Sequence, residues 1–268
     1  MMNLTETILY SCGISLFSSF GIQKVEAKRP NILFIMTDQQ RYDMLSCAGN
    51  RYVHTPSLDQ LAENGVRFER NYCANPVSMP SRFAMITGRF AGEIGYTNNS
   101  TKPDTLRVLP VVRESSVGNL FRNAGYETIY SGYPGFYCGR TNIEDYGFVQ
   151  NGTDYYDGPA NFAESFFAGY KPEEDKPFFL YLSFMNPHDI CYGAGFDPRF
   201  PDKLRPHQIA ATQKYIDFHK TLSEEEYRNQ IPPVPVNMEP NGAYAEMKEI
   251  GSGSRNWTEE QWNFYRWM

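Results

Sequence analysis

The sequence predicts an α/β sandwich, a sheet with helices packed on its faces. Two continuous apolar runs, Asn31 to Met36 (NILFIM) and Pro177 to Met185 (PFFLYLSFM), have the length and character of strands buried on both sides of a parallel sheet. Between them lie stretches with helix start and stop signals. The chain of 268 residues is long enough for a sizeable core, and its apolar fraction of 41% and charged fraction of 21% are those of a soluble globular protein. A net charge of −6 and no clustered Lys/Arg run argue against a nucleic-acid partner.

Residues 1–27 read as an export signal outside the fold. Ile8 to Phe20 is an apolar stretch too short to span a bilayer, and Val25-Glu26-Ala27 offers a small-residue cleavage site before Lys28. The expectation is an exported, periplasmic protein without a stable membrane span, folded over residues 28–268. Cys47, Cys73, Cys138 and Cys191 fit no zinc spacing and are compatible with disulfides or with isolated thiols.

The first strand, Asn31 to Met36, runs into Thr37-Asp38-Gln39-Gln40, at the carboxyl end where functional loops of parallel sheets lie. Asp38 there can start a turn or bind a cation. Ser57-Leu58-Asp59-Gln60 has a capping-box pattern that opens a helix, stopped by Gly65. Val66 to Tyr72 reads as a strand delivering the next segment, and His54 as structural.

That next segment, Asn75 to Arg89, reads NPVSMPSRFAMITGR. Pro80 suits a first helical turn and Gly88 a helix end. Ser78 is thus placed just before a helix N-terminus, where backbone N–H groups and the helix dipole favour an anion. Arg82, about one turn on, adds a charge that can fork onto an oxyanion. Taken alone, such a serine is a helix cap.

Gly92 to Lys102 is a turn-rich loop, Val117 to Asn123 a helix ended by Gly125, and Glu127 to Tyr130 a strand. Gly147 to Gly169 is an aromatic excursion over the surface, either a satellite cluster or a sugar-stacking face. The strand Pro177 to Met185 ends in Asn186-Pro187-His188-Asp189, and His188 is either a hydrogen-bonded loop residue or an acid-base group. Pro206 to Lys220 has helical spacing, with His207 and His219 on the surface or in packing. Ile231 to Pro240 holds four prolines and cannot be regular structure, and Glu259 begins a last helix.

SMPSRFAMITGR resembles the sulfatase signature, a Cys or Ser followed by xPSR, mostly apolar residues and TGR. RPNILFIMTDQQ and PFFLYLSFMNPHD resemble two further stretches of the same family. The resemblance implies an alkaline-phosphatase-like α/β fold, a mixed sheet sandwiched between helices, with its C-terminal part absent here. It implies that Ser78 is the precursor of formylglycine, whose hydrated aldehyde is the nucleophile, and that Arg82 holds it. Asp38, Gln39 and the oxidised Ser78 would bind Ca2+ or another divalent cation, and His188 would protonate the leaving oxygen. Ser in place of Cys looks like the version matured by a radical S-adenosylmethionine enzyme. The implied substrate is a sulfated carbohydrate or another sulfate ester.

The chain departs from the family pattern in two places. Gln39 stands where many members have a second Asp, and Gly132-Tyr133-Pro134-Gly135-Phe136 lacks the Lys and His that usually follow. Arg140 is the nearest substitute cation. These departures leave two other readings: a non-catalytic remnant, and a phosphoester hydrolase with Ser78 unoxidised.

Overall fold

A computed structural model describes residues 29–99, 108–133, 143–152, 156–172, 176–188, 213, 215–233 and 259–267. The expectations for residues 1–27, Cys138, Arg140, Cys191, His207 and residues 234–240 lie outside them. The fold below is that of the compact unit Ile32–Met268.

Four strands make one sheet: β1 (Ile32–Asp38), β2 (Glu127–Gly132), β3 (Val149–Asn151) and β4 (Phe178–Pro187). Their order is β1-β4-β2-β3, and every pairing among the described residues is parallel. β4 is flanked on both sides, which is the reason it reads as an unbroken apolar run. Alternation along a strand divides its side chains between the two faces of the sheet. Phe179 and Tyr181 join one core cluster with Phe83, Ile86, Tyr96, Tyr130, Tyr146 and Phe148. Leu180 and Leu182 join a second, with Ile129 and Phe178.

The helices are α1 (Pro56–Asn64), α2 (Ser78–Thr87), α3 (Pro110–Glu114), α4 (Val117–Asn123), α5 (Gly158–Gly169), α6 (Glu224–Gln230) and α7 (Glu259–Trp267). α2 contributes Phe83 and Ile86 to the first cluster, and α5 sets Phe162 and Phe166 against the second. Phe83 is fully buried, with edge-to-face contacts at 5.5 Å to Tyr96 and to Tyr146; burial of such a ring contributes about 1.5–3 kcal/mol. Gly88 ends α2 in the left-handed conformation that its sequence position predicts, with its N–H donating to the Ala84 carbonyl. None of the described helices is long and apolar enough to cross a membrane.

Four sequence expectations change. The run Asn31 to Met36 is not buried on both sides: among the described strands β1 pairs only with β4, and Leu33 and Ile35 on one face are exposed. Ser57 does not cap α1, which begins one residue earlier with Pro56 and has Thr55 at its cap position without a side-chain bond. The Asp59 carboxylate instead reaches back to the Ser46 hydroxyl at 2.7 Å and the Cys47 N–H at 2.8 Å, and the Ser46 bond leads in holding its acid below the usual carboxylate range. Val66 to Tyr72 is irregular rather than a strand, and Val66, Phe68 and Tyr72 are exposed. β-forming residues become a strand only where a neighbour accepts their backbone bonds, and no described strand lies beside them. Gly147–Gly169 is no surface excursion: it supplies the buried Phe148, the strand β3 and the helix α5.

β2 ends at Gly132, whose φ of +100° is open to glycine and rare for other residues. A Cβ there would lie 2.1 Å from the Ser183 carbonyl oxygen and 2.6 Å from Pro159. Gly132→Ala is therefore expected to destabilise the fold by at least about 1–3 kcal/mol from backbone strain alone, measurable by urea unfolding. Burial also pushes the Tyr130 phenol up to about 12, Ser183 and Arg82 partly offsetting it, and burial raises Tyr181 as well. Because these folded-state values lie above the ordinary 10.0, their contribution is fully present below pH 10 and lost as pH rises toward 12. Phenolate absorbance should show both tyrosines ionising only together with alkaline unfolding, after the exposed tyrosines have titrated.

Candidate active site

The carboxyl end of β1, the middle of β4 and the start of α2 meet around one buried guanidinium. Ser78 and Arg82 are four residues apart and share a face of α2. The Ser78 hydroxyl donates to Asp38 Oδ2 at 2.7 Å. Arg82 Nε donates to Ser78 Oγ at 3.2 Å, and Nη2 donates to Asp38 Oδ2 at 2.9 Å. These bonds close a triangle of hydroxyl, carboxylate and guanidinium. Arg82 is 3% exposed and Asp38 8%, so the ion pair is nearly free of solvent screening.

Ser78 is the first residue of α2, and its hydroxyl turns to Asp38 rather than to the helix backbone. The helix-cap reading of Ser78 therefore fails. Capping is done from outside: the Met79 N–H donates to Asn99 Oδ1 at 3.1 Å, and Pro80 has no N–H to satisfy. The anion-binding capacity expected at this helix start is thus partly taken up by Asn99.

Asp38 reaches the triangle from an irregular strand end. The register of β1 on β4 shifts between Met36 and Asp38, an irregularity of the kind that re-aims side chains at strand ends. Gln39 follows with φ +63°, a conformation uncommon outside glycine, and is exposed. Pro187 is the register partner of Asp38, and His188 comes next, with its N–H donating to the Met185 carbonyl at 3.1 Å. The two strand ends therefore bring Asp38, Gln39 and His188 to the same end of the sheet as Ser78 and Arg82.

Two residues with no prior signal of function complete the surroundings of Arg82. Its Nη1 donates to Ser183 Oγ at 2.6 Å and to the Tyr133 carbonyl at 3.4 Å, and the Tyr133 ring lies 5.1 Å from the guanidinium carbon. The visible hint of Ser183 was a lone hydroxyl in the run PFFLYLSFM. Tyr133 stands directly after Gly132, the last residue of β2.

The donors at the site are hard oxygens, the kind Ca2+ prefers. Asp38 Oδ2 is engaged twice, by Ser78 and by Arg82. The Ser78 hydroxyl adds a second oxygen, and Gln39 carries an amide oxygen at the same strand end. The described residues contain no group of three His, Cys, Asp or Glu side chains placed for a metal. The set suits a hard divalent ion in kind, and fewer in number than the six to eight oxygens that Ca2+ takes.

Removing one partner from a buried ion pair strands the other charge. Arg82→Ala is expected to cost about 3–5 kcal/mol in urea unfolding, with Arg82→Lys intermediate because it keeps the charge and loses the fork.

The Sulfatase family model matches residues 30–229. The N-acetylglucosamine-6-O-sulfatase of Bacteroides thetaiotaomicron is 37% identical over 131 residues, 48% of this chain and 22% of its own length. The uncharacterized sulfatase YidJ of Escherichia coli is 40% identical over 106 residues, 39% of this chain and 20% of its own. The chain thus spans about a fifth of the length of these curated relatives. Among solved structures, the yidJ sulfatase of Bacteroides fragilis aligns with a TM-score of 0.55 at 24% identity, covering 92% of this chain and 59% of that one. BT1596, a 2-O GAG sulfatase, aligns with a TM-score of 0.52 at 26% identity, covering 63% and 37%. The fold is the alkaline-phosphatase-like α/β fold of these structures. By a family match that spans most of its length, the chain belongs to the sulfatase family.

Proposed function

We propose that the chain carries the nucleophile-bearing part of a sulfuric ester hydrolase that acts on sulfated carbohydrates. The observation that carries the proposal is the Ser78 hydroxyl fixed between the Asp38 carboxylate and the Arg82 guanidinium. A serine serving only as a cap or a packing residue has no need of a buried ion pair around its oxygen. The sugar sulfatases among its relatives support the substrate class.

Formylglycine made from Ser78 supplies a hydrated aldehyde, one hydroxyl of which is the nucleophile toward sulfur. A hydroxyl at this position can donate to Asp38, which draws its proton away, and accept from Arg82 Nε, which sets its direction. Arg82 also balances the negative charge that gathers as the sulfur centre is attacked. The bond between sulfur and the alcohol oxygen breaks, and that oxygen needs a proton. His188, at the adjacent strand end, is the group assigned to deliver it. Asp38, Gln39 and residue 78 would hold a divalent cation, whose Lewis acidity further stabilises charge on the reacting oxygens.

The proposal includes maturation by a radical S-adenosylmethionine enzyme and export to the periplasm with residues 1–27 as the signal. One peptide map of the protein purified from its native host tests these together. The tryptic peptide Asn71–Arg82 is expected to have lost two hydrogens at Ser78 and to react with carbonyl reagents, and the mature N-terminus is expected at Lys28. An unmodified Ser78 in every molecule would overturn the formylglycine chemistry.

A further inference from the structure

The guanidinium of Arg82 has five N–H donors. Four of them are engaged within the protein: one on Ser78, one on Asp38, and two on Ser183 and the Tyr133 carbonyl. An arginine committed in this way is a fixed structural fork, and its two working edges are set by what holds the remaining nitrogen. The Nη1 corner is therefore the point from which the orientation of the triangle is controlled.

That corner is built by residues to which no role has been assigned. Ser183 is fully buried in the middle of β4. Its position follows Phe179 and Tyr181 on the sheet face that packs against α2, so the strand aims its hydroxyl at Arg82. The second acceptor, the Tyr133 carbonyl, is held in turn: the Tyr130 hydroxyl donates to it at 2.6 Å, and the Tyr133 N–H donates to the Ser183 carbonyl at 2.9 Å. Gly132 permits this approach, because a side chain there would strike the Ser183 carbonyl. The tyrosine ring then covers the guanidinium.

We propose that Ser183 is a positioning residue which, together with the Tyr133 carbonyl, locks the Nη1 corner of Arg82 so that its Nε and Nη2 edges face Ser78 and Asp38. The proposal rests on the sulfatase reading for its kinetic consequence, although not for its structural one. It also gives Tyr133 a use in place of the missing lysine: it orients the arginine of the nucleophile helix and brings no charge of its own.

The test uses Ser183→Ala and Ser183→Thr in the protein matured in its native host, with two readouts. Ser183→Ala is expected to lower kcat about tenfold to a hundredfold with KM little changed, since a displaced catalytic fork acts on the reaction rather than on binding. Ser183→Thr, which keeps the hydroxyl, is expected to recover most of the loss. In protein labelled with 15N-arginine, hindered rotation should keep the Arg82 Nη signals separate in the parent and in Ser183→Thr, and Ser183→Ala should merge them. Separate Nη signals in Ser183→Ala, or an unchanged kcat in an active enzyme, would overturn the proposal. If the parent protein hydrolyses no sulfate ester, the sulfatase reading fails, while the arginine signals still decide whether Ser183 locks the fork.

Discussion

The buried pairing of Arg82 with Asp38 is the interaction on which the rest of this structure depends. It joins the first turn of α2 to the end of β1, and through Ser183 it joins both to β4. A charge at such depth is tolerable only when its hydrogen-bonding groups are met, and the surroundings meet nearly all of them. The aromatic core beneath Phe83 supports α2, and the ion pair fixes the rotation of that helix. Packing supplies the attraction, while the polar contacts select one arrangement among those that packing alone would allow.

Strand order explains why these residues converge. β1 and β4 are distant in sequence and neighbours in the sheet, so the segments that follow each of them share one end. Parallel strands always present their carboxyl ends together, which makes that edge a natural place to collect groups from different parts of a chain. The helix bearing Ser78 then brings its N-terminus to the same edge.

Much of this was legible in the sequence, for reasons that can be named. PFFLYLSFM announced a strand buried on both faces, as central β4 is, whereas NILFIM announced a second one and β1 instead lies at the margin of the described sheet with one face partly exposed. Gly88 announced a helix end through its tolerance of positive φ. Ser78, Arg82, Asp38 and His188 were singled out through the resemblance of their stretches to those of sulfatases, and the structure brings the first three into direct contact. Local patterns failed where long-range partners decide the outcome. Ser57 resembled a cap, yet the capping box that forms is at Ser223, whose hydroxyl and partner Glu226 bond reciprocally. Ser183 and Tyr133 carried no signal of their importance, because each acts on Arg82 through contacts that only the folded sheet creates. Asn99 likewise caps a helix twenty residues away.

β1 forms one margin of the described sheet, and its side chains are treated unequally. Ile32, Phe34 and Met36 lie against the aromatic core, whereas Leu33 and Ile35 stand 44% and 50% exposed on the opposite face. No described strand pairs with the outer edge of β1, and an edge strand with an oily surface is prone to stick to another strand. When the chain is produced by itself, a solubilising neighbour or fusion that shields β1 is therefore expected to raise its yield.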